Sequence, residues 1–319
     1  MTMNYAHTPV MLNECLSFVS DKDNVLFVDA NTGEGGHSFA FLYRFHKLKV
    51  VCIDVDNVIL EIAKKRLEQF SDRTYFYNEW SYDFFTGYPS ELKRPDYILF
   101  DLGISFFHYK LSARGFSFEK NEFLDMRLDT KESGLTAADL VARLPEKELA
   151  DLIYNNSGER FSRRIASFIA CERQNSAITT TSALADLVQR AVPASYRHGP
   201  IHPATRTFQA LRIAVNGELS GLHALLEAAF RSLEHGGKLL VISFHSLEDR
   251  IVKNFIKALN KNCICPQNAP ICNCRGLRSA NVLTKKGITP SKEELAQNPP
   301  SRSARLRVIE KISDGDSND

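Results

Sequence analysis

Apolar residues in the first 103 positions are concentrated in four short runs. These runs are VLFVDA (25–30), KVVCIDV (49–55), RTYFYN (73–78) and DYILFDLG (96–103). Continuous apolar runs of this length are typical of strands buried on both faces, and VILEIAKKRLEQF, between the second and third runs, has the period of an amphipathic helix. The pattern predicts a doubly wound α/β sheet.

The alternation stops after Gly103, where a segment rich in Phe, Arg and Asp shows no steady period. Residues 133–203 then carry only helical patterns, such as AADLVARL and ALADLVQRAV. We interpret this block as an all-helical insertion that interrupts the sheet domain.

Strand patterns return at GGKLLVISF (236–244) and RLRVIEK (305–311), and one long helix is predicted from about Thr205 to Leu233. The expected organisation is therefore a discontinuous sheet domain and an insertion. The sheet domain is expected to comprise residues 1–110 and 205–319, and the loop and helical insertion residues 111–204.

Composition narrows the class of protein. The chain has 319 residues, of which 44% are hydrophobic and 24% charged, so it is long enough to bury a full core. Its formal net charge of +2 provides no general attraction for nucleic acid, which would have to contact local clusters of Lys and Arg. The first residues match neither a signal peptide nor a transit peptide, and no apolar run has the length of a membrane span. We expect a soluble cytoplasmic protein without a membrane partner.

The segment VDANTGEGGHS (28–38) follows the first predicted strand and contains Gly33, Gly35 and Gly36. Its spacing fits neither the G-x-G-x-x-G dinucleotide fingerprint nor the phosphate loop, which requires a Lys after the glycines. Asp54, at the end of the second predicted strand, can accept hydrogen bonds from both hydroxyls of a ribose. A nucleoside cofactor without phosphates, S-adenosylmethionine, suits this combination, and a structural turn between strand and helix is the alternative.

Several longer motifs resemble one known family, the bacterial ribosomal RNA small-subunit methyltransferase H family, also called MraW. The motifs are HTPVML (7–12), DANTGEGGHS (29–38), DLGIS (101–105), RGFSF (114–118), LDMRLD (124–129), HPATRTFQALRIAVNGEL (202–219), ISFHSLEDRIVKNF (242–255) and PSRSARLRVIEK (300–311). The resemblance implies a class I (Rossmann-like) S-adenosylmethionine-dependent methyltransferase sheet with a helical insertion domain for substrate binding. It also implies methyl transfer to the exocyclic N4 of a decoding-site cytidine in 16S rRNA, within the small ribosomal subunit.

Transferred residue by residue, the resemblance indicates a set of cofactor contacts at the ends of the strands. They are Gly35, Gly36, His37, Asp54, Trp80, Asp101 and His108. Trp80 stands where the family usually has Phe, and it either stacks on adenine or serves as a hydrophobic anchor. His108 stands where the family usually has Gln, and an imidazole in one tautomer replaces only one of the two amide hydrogen bonds.

Three residues are candidates for the catalytic step. Cytosine N4 is a poor nucleophile, so an acceptor for its hydrogens would help, and Asp101 and Asp125 are the carboxylates we expect near it. The alternative for Asp125 is a pairing with Arg127 that orders the loop. His245 follows the fifth predicted strand, and it either binds the target base or caps the next helix with Ser246.

Arginines in the insertion and near the end of the chain are candidate contacts for RNA phosphates. They are Arg160, Arg163, Arg164, Arg206, Arg212, Arg302, Arg305 and Arg307. A solvated basic face is the alternative for the group at the start of the insertion helix. Phe106, Phe107, Phe116 and Phe118 are expected either to stack on flanking bases or to belong to the core.

Cys263, Cys265, Cys272 and Cys274 form two closely spaced pairs, which suit either a structural zinc site or reduced thiols. The resemblance implies no metal requirement for the reaction. Two other functions remain open at this stage: methylation of a protein or small molecule, and a non-enzymatic RNA-binding or assembly role on a degenerate cofactor fold.

Overall fold

The computed structural model describes residues 8–131, 134–261 and 278–312. The chain forms two compact units, one of Met1–Ile104 with Gly221–Asp319 and one of Ser105–Ser220. In the described parts of the chain, no helix is both long and apolar enough to cross a membrane.

The first unit contains a seven-stranded sheet with the order β3-β2-β1-β4-β5-β7-β6. Strands β1 to β5 are parallel, β7 is antiparallel to β5, and β6 is antiparallel to β7. The strands are β1 Leu26–Asp29, β2 Lys49–Ile53, β3 Thr74–Tyr77, β4 Tyr97–Asp101, β5 Lys238–Ser243, β6 Ala280–Val282 and β7 Arg305–Lys311. The predicted α/β fold class is confirmed. Strand β6 was not predicted.

Helices follow most strands in the first unit and make up the second unit. In chain order they are α1 Leu12–Ser17, α2 Gly36–Arg44, α3 Asn57–Arg66, α4 Ser81–Thr86, α5 Phe106–Lys110, α6 Ala137–Arg143, α7 Glu146–Ser157, α8 Ser162–Glu172, α9 Thr181–Ala191, α10 Ala194–Arg197, α11 Ala204–Asn216, α12 Leu222–Ser232, α13 Ser246–Leu259 and α14 Lys292–Gln297. Two 3₁₀ helices, Glu68–Arg73 and Pro299–Ser303, complete the set among the described residues.

The core of the first unit lies on both faces of the sheet, because successive strand side chains point to opposite faces. Val28 of β1 packs in the cluster that contains side chains of α4, α12 and α13, whereas its neighbour Phe27 packs with those of α1 and α2. Both side chains are fully buried. Burial on both faces explains why these strands are continuous apolar runs in the sequence.

The helical unit begins earlier and ends later than the sequence pattern suggests. Helix α11 packs on α6, α7 and α9, so it belongs to the helical unit and not to the sheet unit. The single helix expected from Thr205 to Leu233 is wrong, because α11 ends at Gly217, which has a left-handed φ of 62°. Helix α12 then starts anew after Gly221.

Candidate functional site

A glycine turn connects β1 to α2 at the carboxyl edge of the sheet. Gly33 and Gly35 have φ values of 53° and 73°, in the left-handed region where a side chain is strained. The Thr32 N–H donates to the Ile53 carbonyl at 2.9 Å, which attaches the turn to the end of β2. The turn therefore lies at the carboxyl edge of the sheet, the position where open α/β sheets bind ligands.

Asp54 follows β2 and fixes the glycine turn through its side chain. One carboxylate oxygen accepts from the Gly33 N–H at 2.9 Å, and the other accepts from the Asp56 N–H at 2.9 Å. The Asn78 amide, just after β3, donates to the carbonyls of Asp54 and Val55, both at 2.9 Å. These bonds place the Asp54 carboxylate beside the glycine turn, and its expected contact with ligand hydroxyls remains a prediction.

Asp29 ends β1 and is buried below the turn. Its Oδ2 accepts from the Ser38 hydroxyl at 2.6 Å, which holds the first turn of α2 against the strand. The pKa of Asp29 is raised to about 6, mainly by burial; the hydrogen bond from Ser38 opposes the rise, and the charge of Asp54 adds to it. Asp29 therefore supports the turn from inside.

Residues 8–11, here called the N-terminal strap, lie against the start of α2. A Cβ on Gly36 would be 2.6 Å from Pro9 Cγ, so only glycine allows this packing. The Nε2 of His37 lies 3.0 Å from the Val10 carbonyl oxygen, and the imidazole is buried. Gly36 and His37, both expected to contact cofactor, thus hold the strap; their cofactor contacts remain predictions.

The other side of the strap is held by α14 and the residue after it. Glu294 Oε1 accepts from the Met11 N–H at 2.7 Å, and the Asn298 amide donates to the Thr8 carbonyl at 3.2 Å. Burial is the main cause of a raised pKa at Glu294. The strap is therefore fixed between the glycine turn and a helix that is distant in sequence.

Asp101 ends β4 and carries a buried oxygen, Oδ1, that has no hydrogen-bond partner among the described residues. Its side chain is 16% exposed, and its Oδ2 lies 3.8 Å from His37 Nδ1. Burial, and then the charges of Asp29 and Glu248, raise the pKa of Asp101 to about 8, although the Gly103 N–H lowers it. Because β1 and β4 are adjacent, Asp29 and Asp101 mark the point where the strand order reverses.

Trp80 precedes α4 on the segment that follows β3. Its side chain is partly exposed, and the next residue, Ser81, donates its hydroxyl to the Ala30 carbonyl beside the glycine turn. Trp80 therefore lies on a segment tied to the candidate site, and its stacking on adenine remains a prediction.

His245 caps α13. Its Nδ1 accepts from the Glu248 N–H at 3.3 Å, and Glu248 Oε2 accepts from the Phe244 and His245 N–H groups at 2.8 and 3.3 Å. The cap is made by His245 itself, where sequence analysis had considered Ser246 as its partner. His245 Nε2 also lies 3.0 Å from Glu248 Oε1. A role in binding the target base remains a prediction.

Asp125 and His108 belong to the helical unit. Arg127 donates to both oxygens of Asp125, from Nε at 2.6 Å and from Nη2 at 3.0 Å, which is the loop-ordering alternative. The His108 ring is buried, with its centroid 5.3 Å from that of Phe116. The catalytic role of Asp125 and the cofactor contact of His108 remain predictions.

The candidate RNA-binding arginines differ in solvent exposure and in their ion pairs. Arg160, Arg163, Arg164, Arg206 and Arg302 are exposed. Arg212 is mostly buried and binds both carboxylate oxygens of Glu218, at 2.9 and 2.8 Å, and the Tyr109 hydroxyl at 3.0 Å. Arg212 therefore has a structural role whether or not it meets RNA.

The two arginines on β7 surround one carboxylate. Arg307 is buried and donates to both oxygens of Asp249, at 2.7 and 3.0 Å. Arg305 is more exposed, and its Nη1 lies 3.8 Å from Asp249 Oδ2. Arg307 therefore holds α13 against β7, and its expected contact with an RNA phosphate remains a prediction.

The phenylalanines expected to stack on bases are also not equivalent. Phe116 is buried, so it belongs to the core. Phe118 packs edge-on against Phe208, with ring centroids 5.0 Å apart. Phe106 and Phe107 are partly exposed and remain candidates.

The possible zinc ligands Cys263, Cys265, Cys272 and Cys274 lie outside the described residues. Within the described ranges, no group of three or more His, Cys, Asp or Glu side chains has the arrangement of a metal site.

Sequence reasoning missed several residues that organise the site. Glu248 had a detectable signal, because a capping residue followed three positions later by Glu is the pattern of a capping box. Asn78 and Glu294 had none, since each acts on backbone that is distant in sequence.

Comparisons with known proteins agree with this arrangement. A model of the MraW methylase family matches residues 4–312. The "Ribosomal RNA small subunit methyltransferase H" of Treponema denticola is 55% identical over 97% of this chain and 98% of its own length. The proteins of the same name from Borrelia turicatae and Treponema pallidum are 45% and 41% identical, over 97% and 96% of this chain and 99% and 92% of their own lengths. This chain therefore belongs to the MraW methylase family.

Proposed function

We propose that this protein is a methyltransferase of small-subunit ribosomal RNA that modifies the exocyclic N4 of a decoding-site cytidine in 16S rRNA. The family match and the names of the relatives support the class of enzyme and of substrate. Its methyl donor is S-adenosylmethionine. The motif resemblance described above supports the cytidine target, and the assembled small subunit is the proposed partner.

The residues at the carboxyl edge of the sheet fit this cofactor. Asp54 places a carboxylate beside the glycine turn, where it can accept hydrogen bonds from ribose hydroxyls, and Gly33 and Gly35 give the turn its left-handed backbone. When bound, S-adenosylmethionine supplies a methyl group activated by a positively charged sulfur. The carboxylates at the strand ends favour positive charge at this edge.

The observation that carries the proposal is the partnerless buried oxygen of Asp101. A buried acceptor without a donor is costly, and it is expected where a ligand completes the hydrogen bonding. The lone pair of cytosine N4 is delocalised into the ring, so an acceptor for its amino hydrogens favours the pyramidal, nucleophilic form. A pKa of about 8 keeps Asp101 mostly protonated in the free protein at neutral pH. The positive charge of the bound cofactor favours the ionised carboxylate, which can then accept the proton released on transfer.

The exposed arginines of the helical unit suit the RNA part of the substrate. Arg163 and Arg164 lie in the first turn of α8, Arg160 lies two residues before the helix, and all three are exposed. Contacts of this kind with flanking phosphates would offset the few kcal/mol needed to extract a base from its stack.

Nucleoside mass spectrometry of 16S rRNA from a deletion strain tests the proposal. We expect the N4-methylcytidine signal to be lost, restored by the wild-type gene and not restored by Asp101→Asn. Asp23→Asn, which changes an exposed carboxylate, is the matched control and should restore the signal. Unchanged 16S rRNA in the deletion strain would reject the proposed target and leave a protein or a small molecule as the methyl acceptor.

A further inference from the structure

Arg160 lies in the angle between two aromatic rings of the helical unit. Its guanidinium carbon is 4.9 Å from the ring centroids of both Phe161 and Tyr196. The two rings are 5.0 Å apart at 68° to each other, so they form two walls around the guanidinium. Cation–π contacts on two sides hold a flexible side chain in one orientation while it remains exposed.

A buried carboxylate fixes both rings. Glu159 is 0% exposed, its Oε1 accepts from the Phe161 N–H at 2.9 Å, and its Oε2 accepts from the Tyr196 hydroxyl at 2.8 Å. Burying a carboxylate is expensive, and a requirement of the fold alone would be met by an apolar side chain. Burial and the bond to Glu159 raise the pKa of Tyr196, so the phenol remains a donor at neutral pH.

Exposed arginines accompany this cluster. Arg206 Nη1 lies 3.5 Å from the Tyr196 hydroxyl, and Arg206, Arg163 and Arg164 are all exposed. The carboxylate that binds Phe161 N–H and Tyr196, Glu159, is fully buried. The surface therefore combines a fixed guanidinium plane with a second positive charge beside it.

We propose that Arg160, Phe161, Tyr196 and Arg206 form a stacking subsite for one unpaired nucleotide of the RNA substrate. The base lies on the guanidinium plane of Arg160, and a neighbouring phosphate contacts Arg206. Glu159 and Tyr196 are positioning residues that keep the plane in place. The assignment rests on the proposed function for the identity of the substrate as RNA.

An unpaired nucleotide fits this surface better than a duplex or an acidic peptide. The base faces of an A-form helix are covered by stacking, and its phosphates need charge but no oriented plane. A carboxylate of a peptide also binds arginine without a need for the ring walls. The double aromatic support at Arg160 has a use only if the flat face of the guanidinium is the binding element.

The test compares Arg160→Lys with Arg163→Lys, which is exposed on the adjoining first turn of α8. Both variants keep the charge, so neither changes the salt slope of RNA binding. With single-stranded RNA oligonucleotides copied from the 16S target region, Arg160→Lys should bind about tenfold more weakly, the scale of one lost base stack. Arg163→Lys should bind as the wild type does.

An oligonucleotide series with one abasic position at a time identifies the nucleotide. When the abasic position replaces the nucleotide that stacks on Arg160, the difference in affinity between wild type and Arg160→Lys should disappear. Tyr196→Phe, which keeps the ring and loses the bond to Glu159, should give a smaller loss of the same base-dependent kind. Equal affinities of Arg160→Lys and Arg163→Lys for every oligonucleotide would overturn the subsite, as would a loss of the same size for a polyglutamate peptide.

Methylation of purified small subunits distinguishes this failure from failure of the proposed function. If the wild type forms N4-methylcytidine and Arg160→Lys forms it with the same KM for the subunit, the subsite is rejected and the proposed function stands. If the wild type methylates no RNA, both are rejected.

Discussion

Replacing Asp101 by asparagine should make the protein more stable in neutral and alkaline solution. The native pKa of about 8 lies far above the ordinary value of 3.8. Below pH 4 the carboxyl group is protonated in both native and unfolded chains and has no effect. Between pH 4 and 8 the unfolded chain loses this proton and the native protein keeps it, so the free energy of unfolding falls as the pH rises. Above pH 8 the full destabilisation is present.

The expected decrease in the free energy of unfolding follows from the same pKa values. One pKa unit corresponds to about 1.36 kcal/mol, so a shift of about four units sets an upper limit of about 5 kcal/mol. Since the side chain is 16% exposed and solvent screens part of the charge, we expect on the order of 3 kcal/mol. The Asp101→Asn variant has no titrating group at position 101, so its free energy of unfolding should lack the pH dependence that Asp101 causes.

Urea unfolding at pH 5 and pH 8.5 measures the effect. The free energy of unfolding should fall more steeply between these pH values for wild type than for Asp101→Asn. Asp23→Asn, at an exposed carboxylate, is the control and should follow the wild type. Parallel pH dependences of wild type and Asp101→Asn would show that Asp101 is ionised in the neutral native protein, and the argument from its burial would fail.

Three further substitutions test other parts of the site. Asp54→Ala should weaken S-adenosylmethionine binding by about 1–3 kcal/mol, because ligand hydroxyls lose charged acceptors, and calorimetry that gives wild-type affinity would remove Asp54 from the cofactor site. Asp125→Asn should keep wild-type cofactor affinity and lower the rate of single-turnover methylation; a normal rate would leave only its loop-ordering role. Arg307→Met should reduce the free energy of unfolding by about 3 kcal/mol, since Asp249 loses its bidentate partner, and a urea titration with an unchanged midpoint would refute this reading of the pair.

The central strands were predictable because burial on both faces imposes a continuous apolar run. Strand β6 was not predictable, since the three residues Ala280–Val282 carry no strand pattern in the sequence and form a strand by pairing with β7. The prediction of one long helix from Thr205 to Leu233 was also wrong because the sequence pattern does not show how the chain packs. Residues 205–233 have helical patterns on both sides of Gly217, and the glycine lets the chain leave one unit and enter the other.

The candidate site was predictable where position along the chain determines position in space. Asp54 and Asp101 could be placed because side chains at the ends of parallel strands meet at one edge of the sheet. The partners of Arg212 and Arg307 could not be predicted, because their ion pairs with Glu218 and Asp249 depend on how the helices pack. The same limit applies to the ring walls around Arg160, where Tyr196 comes from a different helix.

The arrangement of β7 and the N-terminal strap has a consequence for biosynthesis. Strand β5 has β4 on one side and β7 on the other, and β7 leaves the ribosome only after α13 and the segment that follows it. Until then a nascent chain presents the open edge of β5, which is a template for mispairing with other chains. Glu294 and Asn298, which hold the N-terminal strap, are also synthesised after β5 and α13. Translation that stalls before these residues is therefore expected to yield an aggregation-prone chain whose glycine turn lacks its outer support.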